Sequence, residues 1–193
     1  MKTALLINGS KKFSNDGTRL NATMQSVAKE WLENKGYKVL ETIIDKGYDE
    51  EKEVQKWLDS ELIIWQFPAW WMGEPWIMKE YIDKVFSAGF GKFSKSDGRH
   101  RDNPDINYGK GGLMQGKKVM FSMTWNAPLN AFINKNEFFE GKGIETVIFH
   151  LRKAHEYNGF SVLPTFMCND VVKNPQISKY TEDYKAHLAR VLG

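Results

Sequence analysis

The segment LIIWQFPAWWMGEPW, residues 62–76, is an apolar run that stops at a proline and is followed by three tryptophans. The length and β-branched content of residues 62–65 are typical of a strand buried on both faces, as in the interior of a parallel sheet. In open α/β sheets, ligands bind beyond the carboxyl ends of the strands, and an indole ring can pack against a planar ligand. Trp70, Trp71 and Trp76 are therefore candidates for a cofactor site, although isolated tryptophans are more often core or interface residues.

The length and composition are those of one soluble domain. A chain of 193 residues can bury about 70% of the surface of its unfolded form. No apolar run approaches the roughly 20 residues that span a bilayer, and the apolar stretch near the first residue is too short for a signal peptide. We expect a single domain over residues 1–193, located in the cytoplasm and without stable membrane association.

Charge and cysteine content exclude several classes of protein. The net charge of +3 is spread along the chain, which does not indicate nucleic-acid binding but suits anionic small molecules such as pyridine nucleotides. The single Cys168 allows no internal disulfide and no cysteine-based metal motif. Since no His, Asp or Glu cluster has metal-ligand spacing, we expect no metal site.

A second candidate site lies near the start of the chain. A short apolar strand, residues 2–9, leads through a polar loop into a helix whose apolar residues recur every three or four positions. Free backbone N–H groups of such a loop and first helical turn form an anion site, although this junction lacks the GxGxxG of a Rossmann turn. We interpret it as a phosphate-binding loop lined by Asp16, Gly17, Thr18, Arg19, Leu20, Asn21 and Thr23.

The remaining elements alternate between strands and helices. Strands are predicted at residues 37–44, 62–65, 118–124 and 160–169, and helices at 20–36, 50–58, 76–88, 144–157 and 180–192.

This alternation predicts an α/β, flavodoxin-like, doubly wound sheet of five parallel strands in the order 2-1-3-4-5, with helices on both faces. The loops after the first, third and fourth strands then meet at one edge. A ligand with a phosphate tail and a flat ring fits this layout, and a flavin is the natural candidate. The loop after the fourth strand contributes Thr124, Trp125, Asn126 and Ala127.

The glycine-rich segment at residues 89–116 interrupts the pattern. An insertion of this length in a compact domain is usually functional or mobile. Residues 111–117 match the spacing of a nucleotide P-loop, but Lys118 stands where Ser or Thr must hold magnesium and the segment precedes a strand. We therefore reject a P-loop. Of the histidines, we expect His150 and His155 to be surface or core residues and His100 and His187 to be solvated.

The sequence resembles the modulator of drug activity B family of NAD(P)H quinone oxidoreductases over nearly its full length. The matching segments are INGSKKF at 7–13, WQFPAWWMGEPW at 65–76, SDGR at 96–99, YGKGGLMQGKK at 108–118, TWNAP at 124–128, and LPTF with ND within 163–170.

The resemblance implies a flavodoxin-like homodimer that holds FAD and transfers two electrons from NADPH, in preference to NADH, to quinones. The family pattern has glycine where this chain has Ala69. By position, the resemblance implies flavin contacts at Asp16, Gly17, Thr18, Arg19, Leu20, Asn21, Ala22, Thr23, Ala69, Trp70, Trp71, Met72, Tyr108, Thr124, Trp125, Asn126 and Ala127.

The mechanism that follows is a ping-pong cycle in which hydride passes from nicotinamide to the flavin and then to a quinone in the same space. We expect Trp70 and Trp71 to wall the ring, the backbone of residues 125–127 to face its electron-rich edge, and Tyr108 to bind the cofactor or donate a proton. The cofactor could also be FMN in place of FAD. Two alternative functions remain: a non-catalytic flavodoxin-type electron carrier, which the basic pI of about 8.8 disfavours, and a flavin-binding regulatory protein.

Overall fold

One parallel sheet organises the molecule. The computed structural model describes residues 1–12 and 18–193, and in this part of the chain the sheet runs β2-β1-β3-β4-β5, with a further short strand, β6, paired to β4. The predicted order 2-1-3-4-5 is confirmed. The strands are β1 (Thr3–Asn8), β2 (Lys38–Ile43), β3 (Leu62–Pro68), β4 (Lys118–Thr124), β5 (Ser161–Val162) and β6 (Phe166–Cys168).

The strand order reverses at β1, and this reversal determines which loops lie together at one edge of the sheet. β1 pairs with β2 on one side and with β3 on the other, so that Ala4 lies opposite both Val39 and Leu62. β3 in turn pairs with β4 along its whole length, ending with Pro68 opposite Thr124. Because all these pairs are parallel, the loops after β1, β3 and β4 leave the sheet at the same edge.

Helices cover both faces of the sheet, as predicted. Alternate residues of each strand point to opposite faces, so the sheet separates two apolar clusters. Residues of α2, α3 and α6 pack on one face and residues of α1 and α7 on the other. The helices are α1 (Arg19–Asn34), α2 (Glu50–Asp59), α3 (Trp76–Ala88), α4 (Asn130–Ile133), α5 (Gly143–Val147), α6 (Phe149–Tyr157) and α7 (Ile177–Leu192), with a 3₁₀ turn at Ile44–Lys46.

None of the helices in the described residues is long and apolar enough to cross a membrane. Likewise, residues 1–12 and 18–193 contain no group of three or more His, Cys, Asp and Glu side chains that could hold a metal ion.

Two predicted elements are each divided in two. The predicted strand at 160–169 is found as β5 and β6, because the intervening Pro164 has no N–H to donate to the ladder and Thr165 N donates instead to Glu145 Oε1 at 2.8 Å. The predicted helix at 144–157 is found as α5 and α6, because Ile148 leaves the helical region with φ −101° and ψ 25° while its side chain is fully buried. α4 was not predicted, and α7 begins three residues earlier than expected.

The glycine-rich segment at 89–116 packs against the body of the domain. Phe93 is fully buried, and its carbonyl accepts a hydrogen bond from Leu113 N at 2.8 Å. A Cβ atom added at Gly112 would lie 2.3 Å from the carbonyl carbon of Asn158, so the backbones approach too closely for any side chain. Glycine at position 112 therefore allows the glycine-rich segment to pack closely against the backbone at Asn158.

Two histidines are buried in polar contacts within the core. His155 accepts a hydrogen bond from Trp65 Nε1 at 3.0 Å through Nε2, while its Nδ1 donates to the Leu151 carbonyl at 2.7 Å. His187, which we expected to be solvated, is buried, and its Nε2 lies 3.0 Å from the Pro164 carbonyl. That expectation was wrong because the residue lies where α7 covers the β5–β6 connection.

Candidate functional site

A cavity of about 370 Å³, the sheet-edge cavity, lies at the carboxyl edge of β1, β3 and β4. Eight of the residues predicted to bind a cofactor line it: Thr18, Arg19, Leu20, Asn21, Ala69, Trp70, Thr124 and Asn126. The other five lining residues were not predicted as site residues: Ser10, Lys11, Pro68, Val171 and Val172.

The start of α1 opens into this cavity. Thr18 precedes the helix without a side-chain capping bond, and no acidic residue occupies the first turn. The partial positive charge of the helix end is therefore not neutralised by the helix's own side chains. Ser10, from the other end of the same loop, is buried, and its hydroxyl has no hydrogen-bond partner among residues 1–12 and 18–193. In the part of the chain that the structure describes, a helix start without a capping side chain thus lies beside a buried hydroxyl without a partner, and groups of both kinds can donate hydrogen bonds to an anion.

Lys11 adds a cation to the same side of the cavity. Its Nζ lies 2.8 Å from Asp45 Oδ1, and the amide of Lys12 donates to the other carboxylate oxygen at 3.0 Å. The Lys11 hydrogen bond is the main reason that the pKa of Asp45 lies below its usual value. The ammonium also lies 5.5 Å from the ring centre of Trp76, at the start of α3. Asp45 thus holds the first residues of the β1–α1 loop against the 3₁₀ turn.

The loop after β3 begins with a tight hairpin. Trp70 and Gly73 exchange both backbone hydrogen bonds, at 2.9 and 3.1 Å, around Trp71 and Met72. Both corner residues have positive φ, 47° and 71°, a conformation that Asn and Gly favour and that costs Trp and Met free energy. The turn leaves the side chain of Trp71 97% exposed, outside the cavity, while Trp70 lines it. Strained, exposed aromatic residues of this kind concentrate at functional sites.

A buried polar network forms the floor of the cavity. Gln66 Nε2 on β3 donates to Asn21 Oδ1 on α1 at 2.8 Å, and Asn21 Nδ2 donates to Thr124 Oγ1 on β4 at 3.1 Å. All three side chains are buried. Gln66 was not among the predicted site residues, although an amide within a buried apolar strand is a signal visible in the sequence.

The loop after β4 is divided between the core and the cavity. Trp125 is buried, and its ring centre lies 5.0 Å from that of Phe132, so this tryptophan is part of the core. Its amide donates to the Cys168 carbonyl at 2.8 Å and is not available to a ligand. Within the described residues, the amides of Asn126 and Ala127 have no acceptor, and only Asn126 lines the cavity.

Several predicted residues lie elsewhere. Ala22 and Thr23 are exposed on α1, and the Thr23 hydroxyl donates to the Arg19 carbonyl at 3.0 Å. Met72 and Ala127 do not line the cavity. Asp16 and Gly17 lie outside the described residues.

The fold and the sequence both have known counterparts. A family model described as flavodoxin-like fold matches residues 2–190. The chain belongs to this family. NADPH:quinone oxidoreductase MdaB of Haemophilus influenzae is 52% identical over 98% of both chains, and an uncharacterised protein of Schizosaccharomyces pombe is 47% identical over 98% of this chain and 96% of its own. The predicted relationship to the modulator of drug activity B family is confirmed.

Solved structures agree on the flavodoxin-like fold. General stress protein 14 of Treponema denticola, in complex with FMN, has a TM-score of 0.72 at 16% identity, covering 98% of this chain and 99% of its own. NAD(P)H:quinone oxidoreductase of Methanothermobacter marburgensis has a TM-score of 0.69 at 12% identity over the whole of both chains. At these identities the likeness concerns the fold alone.

Tyr108 lies apart from the sheet-edge cavity. It lines a larger, shallow cavity of about 760 Å³ together with residues of α3 and α6. Its ring is 71% exposed, 5.7 Å from that of Tyr157 and 5.6 Å from the guanidinium of Arg99. The smaller cavity is the better candidate site of this flavodoxin-like domain. It lies at the switch point, and it is lined by Ser10, whose hydroxyl has no partner among the described residues.

Proposed function

We propose that this protein is an NADPH:quinone oxidoreductase that binds FAD in the sheet-edge cavity. The observation that carries the proposal is the buried Ser10 hydroxyl, which has no partner among the described residues. It lies beside the start of α1, where Thr18 makes no side-chain capping bond, in a cavity that Trp70 also lines. The 52% identity to a protein named NADPH:quinone oxidoreductase supports the same activity.

The donor set fits the phosphate of a flavin nucleotide. Ser10, Lys11 and Arg19 line the cavity together with the start of α1. The Ser10 hydroxyl, the first amides of α1 and the Arg19 guanidinium would bind a phosphate, whereas the charge of Lys11 is already paired with Asp45. Ala69, Trp70, Thr124 and Asn126 line the cavity after β3 and β4, and would hold the flat ring.

When bound, the flavin supplies the chemistry, accepting a hydride from the nicotinamide and passing it to a quinone. Trp70 would exclude water from the ring, and the Asn126 amide would face the edge that becomes negative. NADPH and quinone would use the same exposed face in turn, in a ping-pong cycle. Parallel lines in double-reciprocal plots with both substrates varied support this shared space, and intersecting lines contradict it.

A homodimer would explain the position of Tyr108. Phe90 and Tyr108 are exposed aromatic residues that both line the larger cavity. Covering such rings with a second copy of the chain is favourable, and Tyr108 would then contact the cofactor or donate a proton to the quinol across the interface. Size-exclusion chromatography at dilute concentration tests this, and a monomer would exclude that role for Tyr108.

Two alternatives use the same cavity without turnover. A flavodoxin-type electron carrier would dock on basic partners through an acidic surface, whereas this chain has a net charge of +3. A flavin-binding regulatory protein would retain the cofactor but reduce no quinone. The enzyme is the proposal that the 52% identical relative supports, and we expect it to act in the cytoplasm.

The test is made on the purified protein under anaerobic conditions. We expect NADPH to bleach the bound flavin, added menadione to restore its colour, and repeated turnover to follow. Heating the protein and separating the released flavin identifies FAD or FMN. A protein that takes up neither flavin, or whose bound flavin does not react with NADPH, contradicts the proposal.

A further inference from the structure

Gln66 is the one amide side chain in the buried strand β3, whose other residues are Leu, Ile, Trp, Phe and Pro. Burying an amide costs free energy unless it is hydrogen-bonded, so its presence needs a reason. Its Nε2 is bonded to Asn21, but its Oε1 has no partner among the residues that the structure describes. A side chain selected only for stability would satisfy both atoms or be apolar.

The hydrogen bonds of the network run in one direction. Because Gln66 Nε2 occupies Asn21 Oδ1 at 2.8 Å, the Asn21 amide must turn its Nδ2 toward Thr124, where it donates at 3.1 Å. Thr124 Oγ1 therefore acts as an acceptor in this bond, and its own proton is left to donate elsewhere.

The acceptor available for that proton within the network is a poor one. Asn21 Oδ1 lies 3.4 Å from Thr124 Oγ1, longer than the roughly 2.7–2.8 Å of a good O–H···O bond, and it already receives the Gln66 bond. Thr124 also lines the sheet-edge cavity. A better-placed acceptor entering the cavity would take the proton.

We propose that Gln66 and Asn21 are positioning residues that make the Thr124 hydroxyl a hydrogen-bond donor to the flavin. This inference rests on the proposed function, because it requires a flavin in the cavity. Reduction adds negative charge to the ring, so a fixed donor stabilises the reduced form more than the oxidised form. The network thus raises the reduction potential of the bound flavin.

The test measures the midpoint potential of the bound flavin. Thr124→Val removes the hydroxyl. At a fixed potential, this variant is expected to have a ratio of reduced to oxidised flavin that is about tenfold lower than in wild type. For a two-electron couple this corresponds to a midpoint potential about 30 mV lower. Thr124→Ser keeps a hydroxyl and is expected to restore the potential. Gln66→Met removes the donor that orients Asn21 without adding charge, and is expected to lower the potential in the same direction by a smaller amount.

A double-mutant cycle separates positioning from a structural role. If Gln66 acts through Thr124, Gln66→Met has no further effect on the potential in the Thr124→Val background. Ser122→Ala is the matched control, because it removes a buried hydroxyl from the same strand at a residue that does not line the sheet-edge cavity. It is expected to leave the potential unchanged.

The results that overturn the proposal are distinct from failure of the proposed function. An unchanged potential in Thr124→Val, or an equal effect of Gln66→Met in both backgrounds, contradicts the positioning role. If Gln66→Met does not fold, the Thr124→Val and Thr124→Ser pair decides. A wild-type protein without flavin would instead overturn the proposed function.

Discussion

Ala69→Trp is expected to abolish flavin binding while leaving the protein folded. Ala69 lines the sheet-edge cavity, and its amide is held by the Thr124 carbonyl at 2.9 Å, so the backbone cannot easily move away. An indole at this position would occupy space in a cavity of about 370 Å³ that the ring of the cofactor needs. The dissociation constant should rise at least about 100-fold, or about 2.7 kcal/mol.

Fluorescence titration of the apoprotein with FAD and FMN measures this change. Ala186→Trp is the matched control, because Ala186 is exposed on α7 and does not line the sheet-edge cavity. Circular dichroism and thermal unfolding establish that both variants fold. Unchanged flavin affinity in folded Ala69→Trp would mean that the flavin binds elsewhere.

The second large effect is a loss of stability in acid caused by His155. Burial lowers the pKa of His155 from 6.5 to about 4, and its two ring nitrogens are committed to Trp65 and the Leu151 carbonyl. Above pH 6.5 the residue is neutral in both the folded and unfolded states, and stability is fully present. As the pH falls from 6.5 toward 4, the unfolded state binds a proton that the folded state does not, so the free energy of unfolding decreases.

The expected loss from this residue is about 3 kcal/mol, since each unit of pKa difference corresponds to about 1.4 kcal/mol. Burial also lowers the pKa of His187, which adds to the loss in the same direction. Urea unfolding of the apoprotein at several pH values measures the slope. His155→Gln, which cannot be protonated, should reduce the slope. Equal slopes in wild type and His155→Gln would contradict this account.

The fold could be predicted from the sequence because buried parallel strands read as continuous apolar runs. The strands at 3–8, 62–68 and 118–124 are recognisable in the sequence as largely apolar runs, and their alternation with helices is compatible with few topologies. The breaks at Ile148 and Pro164 depend on which side chain must reach the core, and local propensity does not contain that information. The short helix at 130–133 is below the length at which periodicity is visible.

The site could be predicted as a region but not residue by residue. The edge at which Asn21, Trp70 and Thr124 meet follows from strand order alone. The side chain of Trp71 points away from the cavity because the residue has a positive φ, which tryptophan disfavours. The sequence therefore gives no indication of this orientation. Ser10 is a small polar residue in a polar loop, and what distinguishes it is its burial together with the lack of a partner in residues 1–12 and 18–193.

We propose that a flavin phosphate lies against Ser10 at the start of α1, and the Ser10→Ala variant probes this contact. Titration of wild-type and variant apoprotein compares FMN with riboflavin, which has the same ring without the phosphate. Losing one hydrogen bond to a charged group should weaken FMN binding about tenfold or more, whereas riboflavin affinity should not change. An equal loss for both flavins, or no loss for FMN, would contradict the claim.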